Sequence, residues 1–313
     1  MEVNKIYHDD WMNNQLPDKS VQLIIADPPY FEVKGSFDFV WKSFDEYLID
    51  VEKWAKECKR LLADNGTLFW YGHAEKIAYS QVIFDKLFFL INNLVWEKTD
   101  CQTNKGIENF RMFAPITERI LMYGCGNDYH DNVRLSIKYI QDYLNTITNR
   151  DELAKILLET GNCRNAESAK QNANNILNQR SHKPQMITKY QYNLIPNPDK
   201  KEYESLRQEY EALRRPFNNF KKYTDVIRLS QEAHITGNYE HDTVKPEKLT
   251  RALILTCSRP NDLVFVPFAG SGTEVAMAIK EGRNAIGFDI EEKYVEMGNK
   301  RTDIIKNQPS FFF

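Results

Sequence analysis

Apolar positions along this 313-residue chain fall into short blocks whose period switches between that of a strand and that of a helix. Residues 21–26 are a near-continuous apolar run of strand length, and 263–267 and 284–290 repeat the form. Residues 44–62, 77–90, 246–257 and 273–281 instead carry apolar side chains three and four apart, which predicts helices. Runs at 67–71, 94–98 and 119–123 predict further strands, with Asn65-Gly66 as the turn into the first. Strands interleaved with helices predict an α/β protein.

The middle of the chain is patterned differently. Residues 136–148, 150–160 and 166–178 predict three short helices, with Gly161 separating the second from the third. Such a cluster can seat a helix in a DNA major groove or serve as a compact spacer, and the pattern fits both. Asp199-x-x-Glu202 predicts a capping box opening a long helix, along which Tyr203, Leu206, Tyr210 and Leu213 form a packing stripe until Pro216 stops it. No apolar run reaches the roughly 18 residues of a membrane span, and the first residues lack the basic-then-apolar form of a signal peptide. A cytoplasmic protein is expected.

Asp27-Pro28-Pro29-Tyr30 closes the first apolar run and carries the clearest chemistry. A Pro-rich turn explains the two prolines but not the flanking acid and aromatic. An exocyclic amine on adenine or cytosine is a weak nucleophile because its lone pair is delocalised into the ring. Two acceptors side by side, the Asp27 carboxylate and the Pro28 carbonyl, would draw its N–H bonds out of that geometry. Consecutive prolines hold φ at about −65° and remove competing donors, so the acceptors are fixed in advance. Tyr30 offers a flat face to an extruded base, a contact worth ~1–3 kcal/mol.

A second signal follows the strand-like run 263–267, where Phe268-Ala269-Gly270-Ser271-Gly272-Thr273 leads into a helix, a closing Gly282, and a strand that reaches Asp289. This layout places an adenosine-containing cofactor at the carboxyl ends of parallel strands. Val275 occupies the third glycine position of a dinucleotide fingerprint, and no Gly-Lys-Ser/Thr follows for a phosphate loop. The distance from Gly272 to Asp289 suits a carboxylate bound to ribose hydroxyls, although a plain structural βαβ unit has the same pattern.

Together these blocks resemble the S-adenosylmethionine-dependent DNA amino-methyltransferases of the permuted beta class. There the D-P-P-Y block comes first, a target-recognition region second and the F-x-G-x-G loop last, as here. His241-Asp242-Thr243-Val244-Lys245-Pro246 resembles the class's H-P-T-x-K-P segment. The resemblance covers residues 1–126 and 236–306. It implies a Rossmann-like class I methyltransferase fold with a mixed, mostly parallel sheet and a mainly helical inserted target-recognition domain. The implied boundaries are 1–132 for the catalytic half, 133–235 for the insertion and 236–313 for the cofactor-binding half.

By the same resemblance, Asp27, Pro28, Pro29 and Tyr30 form the catalytic block that grips the amine and stacks on the flipped base. Phe268, Ala269, Gly270, Ser271, Gly272 and Thr273 would pass under S-adenosylmethionine, with Asp289 at its ribose and Thr243 and Lys245 lining the pocket. Lys245 equally fits an exposed charge at a helix start. Two departures stand out: Val266 replaces an acid the class often has before its P-F-x-G-S-G, and Asp242 replaces a proline. An acid at position 27 goes with N6-adenine in this class, whereas N4-cytosine enzymes more often have serine there. Double-stranded DNA is the implied partner. Homodimers are common in the class, and a restriction endonuclease can accompany its members.

Net charge is −3, against the usual basicity of a DNA binder. Residues 133–231 nevertheless hold 17 Lys or Arg against 11 Asp or Glu, including Lys200-Lys201, Arg214-Arg215 and Lys221-Lys222, so phosphate contact is expected there. The 5 cysteines and 6 histidines show no metal-ligand spacing, and no metal is expected.

Overall fold

A computed structural model of the chain describes residues 1–33, 40–100, 111, 113, 115–126, 139–178, 185–231 and 244–307. His241, Asp242 and Thr243, most of the aromatic loop after Tyr30, and the start of the helix expected at 136 lie outside these residues. The described chain forms two compact units, one of residues 1–126 with 215–313 and one of residues 127–214.

The first unit is built on an eight-stranded sheet. Its strands are β1 (Lys5–His8), β2 (Val21–Ala26), β3 (Leu62–Gly72), β4 (Phe89–Lys98), β5 (Thr117–Gly124), β6 (Val226–Leu229), β7 (Leu263–Val266) and β8 (Asn284–Asp289). They lie in the order β1-β8-β7-β2-β3-β5-β4-β6. From β1 across to β3 all pairs are parallel, β5 runs antiparallel to both neighbours, and β6 is parallel to β4.

Side chains alternate between two buried layers, as expected of strands covered on both faces. Leu23, Ile25, Phe69 and Tyr71 pack with residues of α7 (Glu247–Cys257), α8 (Thr273–Lys280) and α9 (Glu292–Lys306). Ile24, Ala26, Leu68 and Trp70 pack with α1 (Phe44–Leu61) and α2 (Ile77–Phe84). The chain leaving β2 therefore turns to one face while the chain leaving β7 turns to the other. These adjacent strands mark a topological switch point, with a crevice at their carboxyl ends.

Local chemistry fixes the boundaries. Ser43 caps α1 through Glu46 N at 3.2 Å, with Asp45 and Glu46 in the first turn and Lys59 and Arg60 in the last, matching the helix dipole. Gly282, at φ 75°, ends the segment after α8. Asn65-Gly66 makes no free turn. It lies within β3, where Val21 faces Leu62 and Leu23 faces Thr67, so three extra residues bulge out of the pairing. The helix expected over 77–90 stops at Phe84, and β4 begins at Phe89. Phe84 stacks on Phe88 and on the ring of Tyr123 in β5, Phe88 packs tilted against the same tyrosine, and β5 pairs with the residues that follow as a strand.

The second unit is helical, with a stretch over 139–147 followed by α3 (Arg150–Glu159), α4 (Ala166–Leu177), α5 (Lys189–Asn193) and α6 (Tyr203–Leu213). Asn165 and Ser168 form a capping box on α4, and Thr188 and Gln191 form one on α5. The box expected from Asp199 and Glu202 does not form, because Glu202 is itself the residue capping α6 and makes no side-chain bond there. Leu206 is fully buried, Tyr203 and Tyr210 pack on this unit's core, and Leu213 is exposed. The unit ends before the boundary expected at 235, since Arg215 is buried and bonded to Thr67 and Val226–Leu229 pairs with β4.

Candidate active site

Asp27 leaves the end of β2 on the face that also receives Tyr71. Extending the pairing of Leu23 with Val264 and Ile24 with Phe265 brings it level with Phe268 at the end of β7, so the two sequence blocks meet across adjacent strands. Both Asp27 oxygens are engaged. Oδ1 accepts the Tyr30 hydroxyl, and Oδ2 lies 2.7 Å from Lys245 Nζ. The Pro-Pro segment is pinned by Tyr47, whose hydroxyl donates to the Pro29 carbonyl at 3.0 Å. Burial, reinforced by the Asp27 and Glu118 charges, pushes the Tyr30 phenol well above its ordinary value, so it remains a donor.

Lys245 is buried and ties two carboxylates together, with Glu118 Oε2 at 3.3 Å from its Nζ. The other oxygen, Glu118 Oε1, pairs with Lys98 at 2.6 Å. Burial alone would discharge Lys245, but Asp27 and Glu118 outweigh it and raise its pKa. Burial likewise opposes the Glu118 charge, and Lys245 with Lys98 more than offsets it, holding that carboxyl below its ordinary range. The Lys245 ammonium also lies 5.2 Å from the Tyr71 ring centre and 5.6 Å from that of Tyr30. Charge thus alternates from Asp27 through Lys245 and Glu118 to Lys98.

The turn after β7 is shaped by its two glycines. Gly270 and Gly272 have φ of 46° and 74°, and a Cβ at Gly272 would lie 2.7 Å from Gly298 Cα in α9. Phe268 sits among Trp11, Trp54 and Trp70, with ring centres at 5.8, 5.1 and 6.3 Å. Asp289 Oδ2 accepts Gly270 N at 2.8 Å and Oδ1 accepts Glu291 N at 2.9 Å, holding the carboxylate beside the turn. Burial raises the Asp289 pKa against those two bonds. Ser271 and Thr273 hydroxyls lie 3.1 Å apart, and Arg301 donates to Thr273 Oγ1 at 2.7 Å and to Glu247 Oε1 at 2.6 Å.

Position 266 carries no acid, and Val266 is packed in the core. Glu274, the first residue after the turn's Thr273, is instead a buried carboxyl on this side of the sheet. It accepts Thr250 Oγ1 at 3.4 Å. Burial, followed by the Asp27 charge, pushes its pKa up to about 7. A carboxylate held at a strand end beside a tight glycine turn, with further carboxylates nearby, suits a ligand bearing ribose hydroxyls and positive charge.

Asp27, Tyr30 and Lys245 therefore come together directly, and residues 268–273 and Asp289 form one turn beside them. Glu118, Glu274 and Lys98 complete the charged cluster, with the Tyr71 ring against Lys245, and none of the four was singled out from the sequence. Each sits inside an apolar or strand-like run, and its partners arrive from distant segments. Among the described residues no cluster of His, Cys, Asp and Glu could hold a metal ion. Cys58 and Cys257 are buried free thiols, with Cys257 pushed up to about 12 by burial.

A family model described as DNA methylase, of the N6/N4 type, matches residues 21–300. The chain is 28% identical over 311 residues to the DNA adenine methyltransferase YhdJ of Escherichia coli K12, covering 97% of this chain and 84% of that one. Among solved structures it is similar to the cytosine-N4-specific PvuII DNA methyltransferase, with a TM-score of 0.56 and 13% identity over 96% of this chain and 89% of that one. It is also similar to the M1.HpyAVI complex with S-adenosylmethionine, with a TM-score of 0.52 and 17% identity over 95% of this chain and 98% of that one. The eight-stranded sheet is thus the class I methyltransferase fold.

Proposed function

The chain belongs to the DNA methylase family and is an S-adenosylmethionine-dependent DNA methyltransferase; from that premise we propose that its target is the N6 amine of adenine and that Asp27 is the group that grips it. The observation that carries this reading is the Asp27 carboxylate, fixed at the end of β2 beside the glycine turn of β7 and bonded to Tyr30 and Lys245.

The bound cofactor supplies an electrophilic methyl group on a sulfonium. Everything else falls to the protein. Lys245 stays on Oδ2, while Oδ1 exchanges the Tyr30 hydroxyl for an amine N–H of the extruded base. Tyr30 then turns its ring to the base, and the Pro28 carbonyl takes the second N–H. As positive charge grows on the amine, Asp27 stabilises it more strongly than in the ground state, which is the condition for accelerating transfer, and the surplus proton of the methylated amine leaves through Asp27 Oδ1 to solvent. Residues 268–273, Asp289 and Thr243 are proposed to hold the cofactor, while Lys245 orients the carboxylate at the border of that site.

Residues 127–214 are proposed as the target-recognition unit. Working in the cytoplasm, pairing into a homodimer and serving beside a restriction endonuclease complete the proposal, and no described helix is long and apolar enough to cross a membrane. Nucleoside mass spectrometry on unmethylated DNA incubated with the protein and S-adenosylmethionine tests the chemistry. N6-methyladenine is expected with the intact protein and none with Asp27→Ala, whose cofactor affinity should stay within a few-fold. N4-methylcytosine would change the target base, and turnover retained by Asp27→Ala would overturn the role of that carboxylate.

A further inference from the structure

Glu274 is a buried carboxyl that the chemistry above leaves unused. It stands in the first turn of α8, directly after the cofactor turn, and is 6% exposed. Its hydrogen bonds come from neutral donors, Thr250 Oγ1 and its own backbone N–H. The charged groups that face it come from several elements: Asp27 after β2, Lys245 before α7 and Arg301 on α9, with the Tyr71 phenol from β3. Both cations are committed elsewhere, Lys245 to Asp27 and Glu118 and Arg301 to Glu247 and Thr273. No described cation forms an ion pair with Glu274. Lys245 and Arg301 act on it only at a distance and do not outweigh burial and the Asp27 charge, and a buried carboxylate so placed favours a ligand that brings a positive charge to it.

We infer that Glu274 receives the α-ammonium group of S-adenosylmethionine, in place of the acid that Val266 does not supply. The inference rests on the cofactor assignment made above. The cofactor has two cationic centres, and physical reasoning separates them. A carboxylate paired with the sulfonium would stabilise the ground state and lose that interaction as the methyl departs, which raises the barrier. The ammonium keeps its charge throughout, so a carboxylate there tightens binding without slowing transfer. Glu274 is thus a cofactor-positioning residue, and the Asp27 carboxylate is left to the target amine. With its pKa pushed up to about 7, the carboxyl is half ionised near neutral pH and fully ionised only in basic solution.

Calorimetric titration of wild type and Glu274→Gln with three ligands decides the matter: S-adenosylmethionine, S-adenosylhomocysteine, and S-adenosylhomocysteine lacking only its amino group. The first two share the ammonium, so Glu274→Gln should weaken both equally, by roughly tenfold or more. The deaminated ligand should change by less than about twofold. Loss confined to S-adenosylmethionine would assign Glu274 to the sulfonium and overturn the inference, as would equal loss for all three ligands or for none. Wild type that binds none of them would overturn the cofactor assignment itself. Should Glu274→Gln fail to fold, the wild-type preference for S-adenosylhomocysteine over its deaminated form decides instead. That ratio should fall as pH drops through about 7, and a ratio flat with pH would count against Glu274.

Discussion

Lys245 lies between two carboxylates, of which Glu118 also pairs with Lys98 while Asp27 pairs with Lys245 alone among the described cations. Replacing one partner of a buried ion pair costs about 3–5 kcal/mol, because the remaining charge stays buried without compensation. Lys245→Met should lose stability of that order in urea unfolding at neutral pH, and Lys245→Met with Glu118→Gln should lose less than the single variant. Equal losses would mean that the Glu118 contact contributes little. Glu274 predicts the opposite sign. Its folded pKa, about 7, lies above its ordinary 4.5, so between these values the unfolded chain ionises while the folded chain stays protonated. Wild type without cofactor therefore loses stability as pH rises through that window. Glu274→Gln removes the penalty, so its melting temperature should exceed that of wild type by a few degrees at pH 8, with the gap narrowing toward pH 5. Asp27 and Tyr30 were legible in the sequence because rare residue types stand together after an apolar run. Glu118 and Glu274 were not, since a single acid in an apolar stretch reads the same whether it faces solvent or is buried against groups from distant segments.

The glycine turn shows what an element boundary demands of its residues. Gly272 adopts φ 74°, and its missing Cβ lets the backbone of α9 approach at Gly298. Gly161, between α3 and α4, has a similar φ of 72° with nothing within 4 Å of where its Cβ would be. Comparing the two separates backbone strain from crowding. Gly161→Ala should cost only the left-handed penalty, about 1 kcal/mol, whereas Gly272→Ala must also push two helices apart and should cost roughly 2–4 kcal/mol and weaken cofactor binding. Equal losses in thermal unfolding would show that the α8–α9 approach is easily relaxed. Elements with a strong period, such as α1, α7, β2 and β8, were legible in the chain almost to the residue. β1 and β6 were not, being four residues each with a single buried side chain, and the sheet rather than their own pattern makes them strands.

Across the whole molecule, charge is arranged less simply than a run of basic pairs suggests. Residues 127–214 hold 13 Lys or Arg against 12 Asp or Glu, and the excess counted over 133–231 comes largely from Arg215, Lys221, Lys222 and Arg228 in the other unit. Within the helical unit Lys189 pairs with Glu204, Lys201 with Glu209, and Arg207 and Arg214 with Glu211. Lys200 donates to the carbonyls of Tyr192, Asn193 and Ile195 at the end of α5. Phosphate contact through Lys200 and Lys201 would have to break these bonds first. Lys221 and Lys222 are exposed, and Phe217 and Phe220 are exposed beside them. Each phosphate neutralised on duplex DNA contributes about 0.9 to the slope of log affinity against log salt. Lys221→Ala with Lys222→Ala should therefore flatten that slope by nearly 2 and weaken binding most at low salt. Lys200→Ala with Lys201→Ala should leave the slope unchanged and lower the melting temperature. The reverse result would move the phosphate-binding face to the helical unit, at the expense of its internal ion pairs.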